Sequence, residues 1–402
     1  MRRSRRDFLH AAARLGAGAA VLPIAGCGAR VARPMGGPTG GALAPSAGVG
    51  SSLGAHAAAH GLLYGCAVDV HALAADPAYA ALIREQCRIL VAENAMKWRA
   101  LRPSAETFRF DDADALVAFA EANRMKIRGH NLVWHYDNPD WLDAAATTAN
   151  ARQLLVAHIE RVVGRYAGRM HSWDVVNEAI EVKDGRPDGL RNSAWLRLAG
   201  DDYIELAFRT ARDADPQALL TYNDYGIEAE TDEPKREAVI ELLRRMVARR
   251  VPVDALGVQS HIAARGAGGA GVVYGAGPVY GAGLMRLVAA ARELGLQVFV
   301  TEMDVNDRTV AADVGARDAA VAAAYKQYLE LVLADPAVRV VLTWGITDRY
   351  TWLDHEDSRA DGLPERPLPF DSDGRAVAAF YAMRDAFDLR AGARQGLPGN
   401  IK

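Results

Sequence analysis

The chain is predicted to fold as a single-domain (β/α)₈ TIM barrel, an α/β architecture, on three observations. Eight short apolar or β-branched runs alternate with helical segments. Polar side chains gather just after those runs. The length of 402 residues, half of them hydrophobic, suits one such barrel with extensions at its ends.

The runs span 62–70, 89–92, 127–130, 172–177, 219–223, 255–259, 298–301 and 338–344. Each is short and apolar, as a parallel strand buried on both faces should be. Between them the apolar positions recur every three or four residues, as in Leu155, Ile159, Val162, Val163 and Tyr166, or Val321, Tyr325, Tyr328, Leu329 and Val332. Asp111 and Glu233-Pro234 mark helix starts, and Gly295 after Leu294 marks a stop.

The ends read differently. Residues 1–27 resemble a signal peptide: Ser4-Arg5-Arg6-Asp7-Phe8-Leu9 is similar to the twin-arginine export motif, and Ile24-Ala25-Gly26-Cys27 is similar to a lipobox whose Cys27 becomes lipidated. Export to the periplasm or cell surface, with a lipid anchor, is the expectation. Residues 28–58, rich in Gly, Ala and Pro, read as a linker; 59–390 read as the barrel; 391–402 read as a tail. Loss of residues 1–27 removes five arginines and one aspartate, taking the formal charge from −3 to −7. That balance excludes nucleic acid as a partner and leaves a lipid on Cys27 as the sole tie to a membrane. Cys66 and Cys87 are expected as two buried free thiols, although a bridge between neighbouring strands is conceivable.

The strand ends carry the chemistry. Glu93-Asn94 and Lys97 follow the second run, His130 and Trp134 the third, Asn177-Glu178 the fourth, Tyr222-Asn223 the fifth, Gln259-Ser260-His261 the sixth, Glu302 and Asp304 the seventh, and Trp344 with Trp352 the eighth. One such residue means little, but seven strands ending alike describe a site. Two carboxylates on opposite sides of a barrel mouth, among amides, imidazoles and indoles and without metal-ligand spacing, suit glycosidic bond cleavage. One acid must remain protonated near neutrality and the other ionised.

Glu93-Asn94-Ala95-Met96-Lys97-Trp98, Gly129-His130-Asn131-Leu132-Val133-Trp134-His135, Trp173-Asp174-Val175-Val176-Asn177-Glu178, Asn223-Asp224-Tyr225, Gly257-Val258-Gln259-Ser260-His261, Thr301-Glu302-Met303-Asp304 and Trp344-Gly345 resemble the motifs of family 10 glycoside hydrolases, retaining endo-β-1,4-xylanases. The resemblance covers roughly 60–388 and implies hydrolysis of internal bonds of xylan or xylo-oligosaccharides by double displacement, by a monomer, with no cofactor and no metal. It implies Glu178 as acid/base and Glu302 as nucleophile, with His261 and Asp304 supporting the nucleophile. Glu93, Asn94, Lys97, His130, Trp134, Asn177, Tyr222, Asn223, Gln259, Trp344 and Trp352 are implied to bind substrate. Two readings stand beside it: a related retaining β-glycosidase with shifted glycan preference, and a cell-surface glycan-binding protein without turnover. The second has no need of Glu178, Glu302, Asn177 and His261 together.

Departures from the family pattern are Asp137, where Gln is usual, Ala92 before Glu93, and a Gly- and Ala-rich loop over 263–283. Gly266-Ala267-Gly268-Gly269-Ala270-Gly271 in that loop matches a dinucleotide fingerprint only formally, with no helix opening directly after it. Asp174 and Asp224 read as structural hydrogen-bonders at the rim, Trp98 and Trp173 as core, and Arg244, Arg245, Arg249 and Arg250 as a solvated helix face.

Overall fold

The computed structural model describes residues 52–265 and 280–390. The expected signal peptide with Cys27, the expected linker up to residue 51, residues 266–279 and the expected tail lie outside them.

Among the described residues ten strands form, β1 Leu63–Val68, β2 Ile89–Ala92, β3 Lys126–Gly129, β4 Val133–Trp134, β5 Ser172–Asn177, β6 Leu219–Asp224, β7 Ala255–Val258, β8 His261–Ala263, β9 Gln297–Asn306 and β10 Val338–Thr343. Eight of them close a parallel cylinder in the order β1-β2-β3-β5-β6-β7-β9-β10, with β10 returning to β1. The eight expected runs are the eight staves. The two short strands are additions at the mouth: β4 extends the sheet beside Val176 and Asn177, and β8 pairs with 304–306 of β9. They put His261 and Trp134 in register with the strand ends that carry the two glutamates.

Two apolar regions hold the cylinder. A small cluster of Ala67, Ile89, Val91, Ala255, Phe299, Val340 and Leu342 fills the lumen, and a much larger one lies between strands and helices. Trp173 and Trp98 belong to the larger, as expected for core indoles. Trp173 packs where Gly129 leaves room, since a Cβ there would lie 2.0 Å from its ring. Helices Ala151–Arg165 and Val314–Val332 turn their periodic apolar residues inward. Cys66 on β1 and Cys87, two residues before the second stave, are buried free thiols with Sγ atoms 3.6 Å apart.

One boundary moves. Residues 53–58, expected as linker, fall in helix Leu53–Ala59, capped by Ser52 and packed through Leu53 and Ala57. The two apolar residues stand four apart on one face, and burial of that face decides the helix although the composition is that of a tether. The Leu53 N–H donates to the buried Gln86 Oε1 at 3.0 Å. The barrel unit therefore already includes Ser52.

Candidate active site

Glu178 stands just beyond β5 in a left-handed turn, φ +57°. Its N–H donates to the Asn223 carbonyl at 2.8 Å and its carbonyl accepts from Arg191 Nε at 2.9 Å. The side chain is thereby turned into the mouth. Its Oε1 accepts from Gln259 Nε2 at 3.0 Å and from Asn177 Nδ2 at 3.3 Å, and its Oε2 lies 3.7 Å from His135 Nδ1.

Glu302 faces it from β9, which runs six residues past the level at which β7 stops pairing with it. Alternation along the strand puts Glu302 and Asp304 on one face. Glu302 Oε2 is 3.2 Å from His261 Nε2, His261 Nδ1 is 2.9 Å from Asp304 Oδ1, and Asp304 Oδ2 accepts from Trp352 Nε1 at 2.7 Å. Burial alone would raise the pKa of Glu302. The His261 hydrogen bond and the charge of His130 outweigh it and bring the group down to about 2. Burial opposes the charged form of His261 as well, but its two carboxylates push it up to about 10, so both ring nitrogens donate.

Three amides join the two acids. Asn223 Nδ2 lies 2.8 Å from both Glu302 Oε1 and Asn177 Oδ1, and Gln259 Nε2 reaches Asn177 Oδ1 at 3.4 Å as well as Glu178. Thr301 Oγ1 donates to Asn223 Oδ1 at 2.7 Å and so fixes which end of that amide faces the acids. Gly257 lets Asn223 sit there, since a Cβ at 257 would come within 2.2 Å of its Oδ1.

On the other side Lys97 Nζ donates to Asn94 Oδ1 at 2.8 Å and lies 5.4 Å and 5.9 Å from the ring centres of Trp134 and Trp344. Burial raises Glu93 to about 7 against the pull of Lys97. Trp344 stands edge-on to His130, 5.3 Å between centres, and Trp352 meets His261 at 5.2 Å. Indole faces, a cation and amides in one wall give flat apolar platforms with hydroxyl-binding groups between them.

Two expected sugar contacts are corrected. Tyr222 is fully buried and its hydroxyl donates to Asp224, because alternation along β6 sends it outward while Asn223 points into the barrel. Asn223 itself has no exposed surface, and its amide is engaged by Glu302, Asn177 and Thr301, so it orders the acids instead of touching sugar. Asp174 and Asp224 do bond as structural groups, but inside the fold, not at the rim. Asp174 pairs with the buried Arg128 and with His130 Nδ1 at 2.9 Å. Asp224 pairs with Lys235 Nζ at 2.8 Å. Asp137, also at positive φ, accepts from Arg99 Nε at 3.0 Å.

Sequence reasoning missed Arg128, Arg191, Glu228 and the nearness of His135 to Glu178. Glu228 accepts from the Ser260 N–H at 2.8 Å and the Ile227 N–H at 2.7 Å, holding the left-handed turn, φ +64° at Ser260, between Gln259 and His261. An unexplained charge among apolar neighbours, as at Arg128 between Ile127 and Gly129, was the available signal. Among the described residues no group of three or more His, Cys, Asp or Glu could hold a metal ion.

The comparisons with known proteins agree with this geometry. Residues 52–386 match glycosyl hydrolase family 10. The chain belongs to that family. Endo-1,4-beta-xylanase C of Paenibacillus barcinonensis is 33% identical over 352 residues, covering 81% of this chain and 31% of the relative, so the chain spans about a third of that longer protein. Endo-1,4-beta-xylanase B of the same organism is 35% identical over 307 residues, 73% of this chain and 86% of the relative. The crystal structure of xylanase 10B from Thermotoga petrophila RKU-1 in complex with xylobiose aligns with TM-score 0.73 at 31% identity, covering 84% of this chain and 97% of that one. Family 10 membership accounts for the closed barrel.

Proposed function

We propose that this family 10 glycoside hydrolase is a retaining endo-1,4-β-xylanase that cleaves internal bonds of xylan and xylo-oligosaccharides. The observation that carries it is the amide chain from Glu178 through Gln259, Asn177 and Asn223 to Glu302, which sets two differently treated carboxyls across one small gap. Glu302, held ionised, attacks the anomeric carbon while Glu178 gives its proton to the departing glycosidic oxygen, so the C–O bond breaks and a glycosyl ester forms. Water then attacks that carbon, Glu178 takes the water's proton, and the ester C–O bond breaks to free Glu302. His261 and Asp304 keep Glu302 charged in the free enzyme. Asn177 stands beside both acids, where a hydrogen bond to the 2-hydroxyl of the reacting sugar strengthens in the transition state. Glu93, Asn94, Lys97, His130 and Trp134 hold the glycone side, Gln259 the reacting sugar, and Trp344 and Trp352 form walls.

The test is a product profile on defined xylo-oligosaccharides, run beside Glu302→Ala on an activated aryl xylobioside. Internal cleavage of xylo-oligosaccharides and loss of turnover in the variant are expected. Cleavage of another β-glycan instead of xylan removes the substrate assignment, and full turnover by Glu302→Ala removes the nucleophile.

We further infer that the enzyme is a monomer exported through the twin-arginine route and tied to the membrane by a lipid on Cys27. The Ser4-Arg5-Arg6 and Ile24-Ala25-Gly26-Cys27 stretches support this. Cys27→Ser should move the protein from the membrane fraction to the soluble one; unchanged membrane association refutes the anchor.

A further inference from the structure

We propose that Arg191 is a positioning residue for the acid/base: its guanidinium locks the left-handed backbone turn that aims the Glu178 carboxyl across the cleft. This rests on the assignment of Glu178 as the proton donor.

A left-handed conformation at a residue with a Cβ is unfavourable and persists only where the surroundings fix it. Glu178, φ +57°, is such a residue. Its peptide groups have two anchors. The N–H is tied to the Asn223 carbonyl on β6, and the carbonyl is tied to Arg191 Nε at 2.9 Å. Removal of the second anchor lets residue 178 relax out of the left-handed region, with φ and ψ changing together. The change in φ swings the side chain and takes the carboxyl away from Gln259 and Asn177, which hold it through Oε1.

Arg191 is itself held in place. Its own N–H donates to the Ala179 carbonyl at 2.7 Å, Nη2 donates to the Tyr225 hydroxyl at 3.2 Å, and Glu181 Oε2 lies 3.6 Å from Nη2. An antiparallel bridge between Ile180 and Leu190 closes the loop between the two residues. The guanidinium fork thus spans a main-chain oxygen and a phenol in a fixed plane, a geometry that the single ammonium of lysine cannot reproduce. Charge on the donor strengthens the bond to the Glu178 carbonyl. Arg191 touches the acid only through the main chain in these bonds, so its effect falls on proton delivery and not on the nucleophile.

Leaving-group chemistry separates that role from a general structural one. The first step on 2,4-dinitrophenyl β-xylobioside needs no proton, whereas phenyl β-xylobioside and xylan need one. Arg191→Met should lower kcat/KM on the phenyl substrate and on xylan by roughly 10- to 100-fold, within the range for lost general acid catalysis, and on the dinitrophenyl substrate by less than about threefold. Arg191→Lys, which keeps one donor, should fall between and serves where Arg191→Met does not fold. Equal losses on the two aryl substrates, or no loss on the phenyl one, overturn the proposal. A wild-type enzyme inactive on both aryl xylobiosides overturns the xylanase reading itself, a result distinct from either.

Discussion

His261 Nε2 lies 3.2 Å from Glu302 Oε2, and the imidazole is held from behind by Asp304 at 2.9 Å. The pair divides one problem: a carboxyl at the floor of a cleft resists ionisation, and a cation fixed beside it reverses that preference. Glu302 is brought to about 2 against its burial.

The first prediction follows from the sign of that shift. The proposed nucleophile must be ionised to attack, so the acid limb of kcat/KM is expected to follow Glu302. In His261→Asn the hydrogen bond and the charge both go, and the acid limb moves to higher pH by roughly one to two units, the size expected for losing one close opposite charge. The stability linkage has the same sense for the carboxylate. A depressed carboxyl contributes above its unfolded value, and the contribution is lost as pH falls toward about 2. The raised imidazole contributes below its unfolded value, and that part is lost as pH rises through about 10. A pH–rate profile of the variant checks this; an unmoved acid limb means that His261 does not control Glu302.

Much of the fold and of the site was legible in the chain because both rest on local pattern. The staves at 89–92 and 172–177 lie where their apolar runs stop, and the residue after such a run falls at the mouth of a parallel barrel. What escaped depends on neighbours far along the chain. Tyr222 and Asn223 are adjacent in sequence and opposite in direction, and only the position of β6 between β5 and β7 decides which of them faces the acids. The left-handed turns at Glu178 and Ser260 are held by Arg191 and Glu228, which lie 13 and 32 residues away. The Leu53–Ala59 helix has the composition of a tether and forms because two of its residues are buried.

Gly257 supplies the second prediction. A methyl group there would stand 2.2 Å from Asn223 Oδ1, which cannot yield without releasing Thr301 and turning the amide away from Glu302. Gly257→Ala should destabilise the protein by about 1–3 kcal/mol, as overpacking of a filled interior does. It should also lower kcat on xylan, because the displaced group joins the two acids. Thermal unfolding and steady-state rates measured together test it. A stable variant with wild-type kcat shows that Asn223 does not order the site.

Asp137 supplies the third. It stands where the family usually has glutamine, yet its carboxylate accepts from Arg99, which also bonds the Asn138 carbonyl and Asp140. That ion pair gives Asp137 a structural role in the loop. Asp137→Asn tolerates the positive φ of this position and removes the ion pair. The variant should lose under about 1 kcal/mol of stability, as exposed ion pairs do. kcat/KM on xylotetraose should change by less than about threefold, an energy below that of one hydrogen bond. A tenfold fall would place Asp137 on the substrate.

Glu93 gives the fourth, which concerns KM. Burial raises this carboxyl to about 7, with the charge of Asp69 adding to the rise and Lys97 and Asn94 opposing it. Below that value it presents a hydroxyl donor and an acceptor to the glycone side; above it, only acceptors. A sugar hydroxyl served by that donor therefore loses its partner as pH passes from 6 to 8. KM for oligosaccharides long enough to fill the glycone side should rise over that interval by roughly two- to tenfold, the worth of one hydrogen bond. Glu93→Gln keeps a donor at every pH and should flatten KM across the interval while leaving the Glu302-controlled acid limb where it is. The sign for stability agrees: a carboxyl with a raised folded value contributes below its unfolded value and loses that contribution as pH climbs through about 7. Initial-rate curves at pH 6, 7 and 8 for both proteins decide it, and a KM in Glu93→Gln that still climbs with pH assigns the titration to another group.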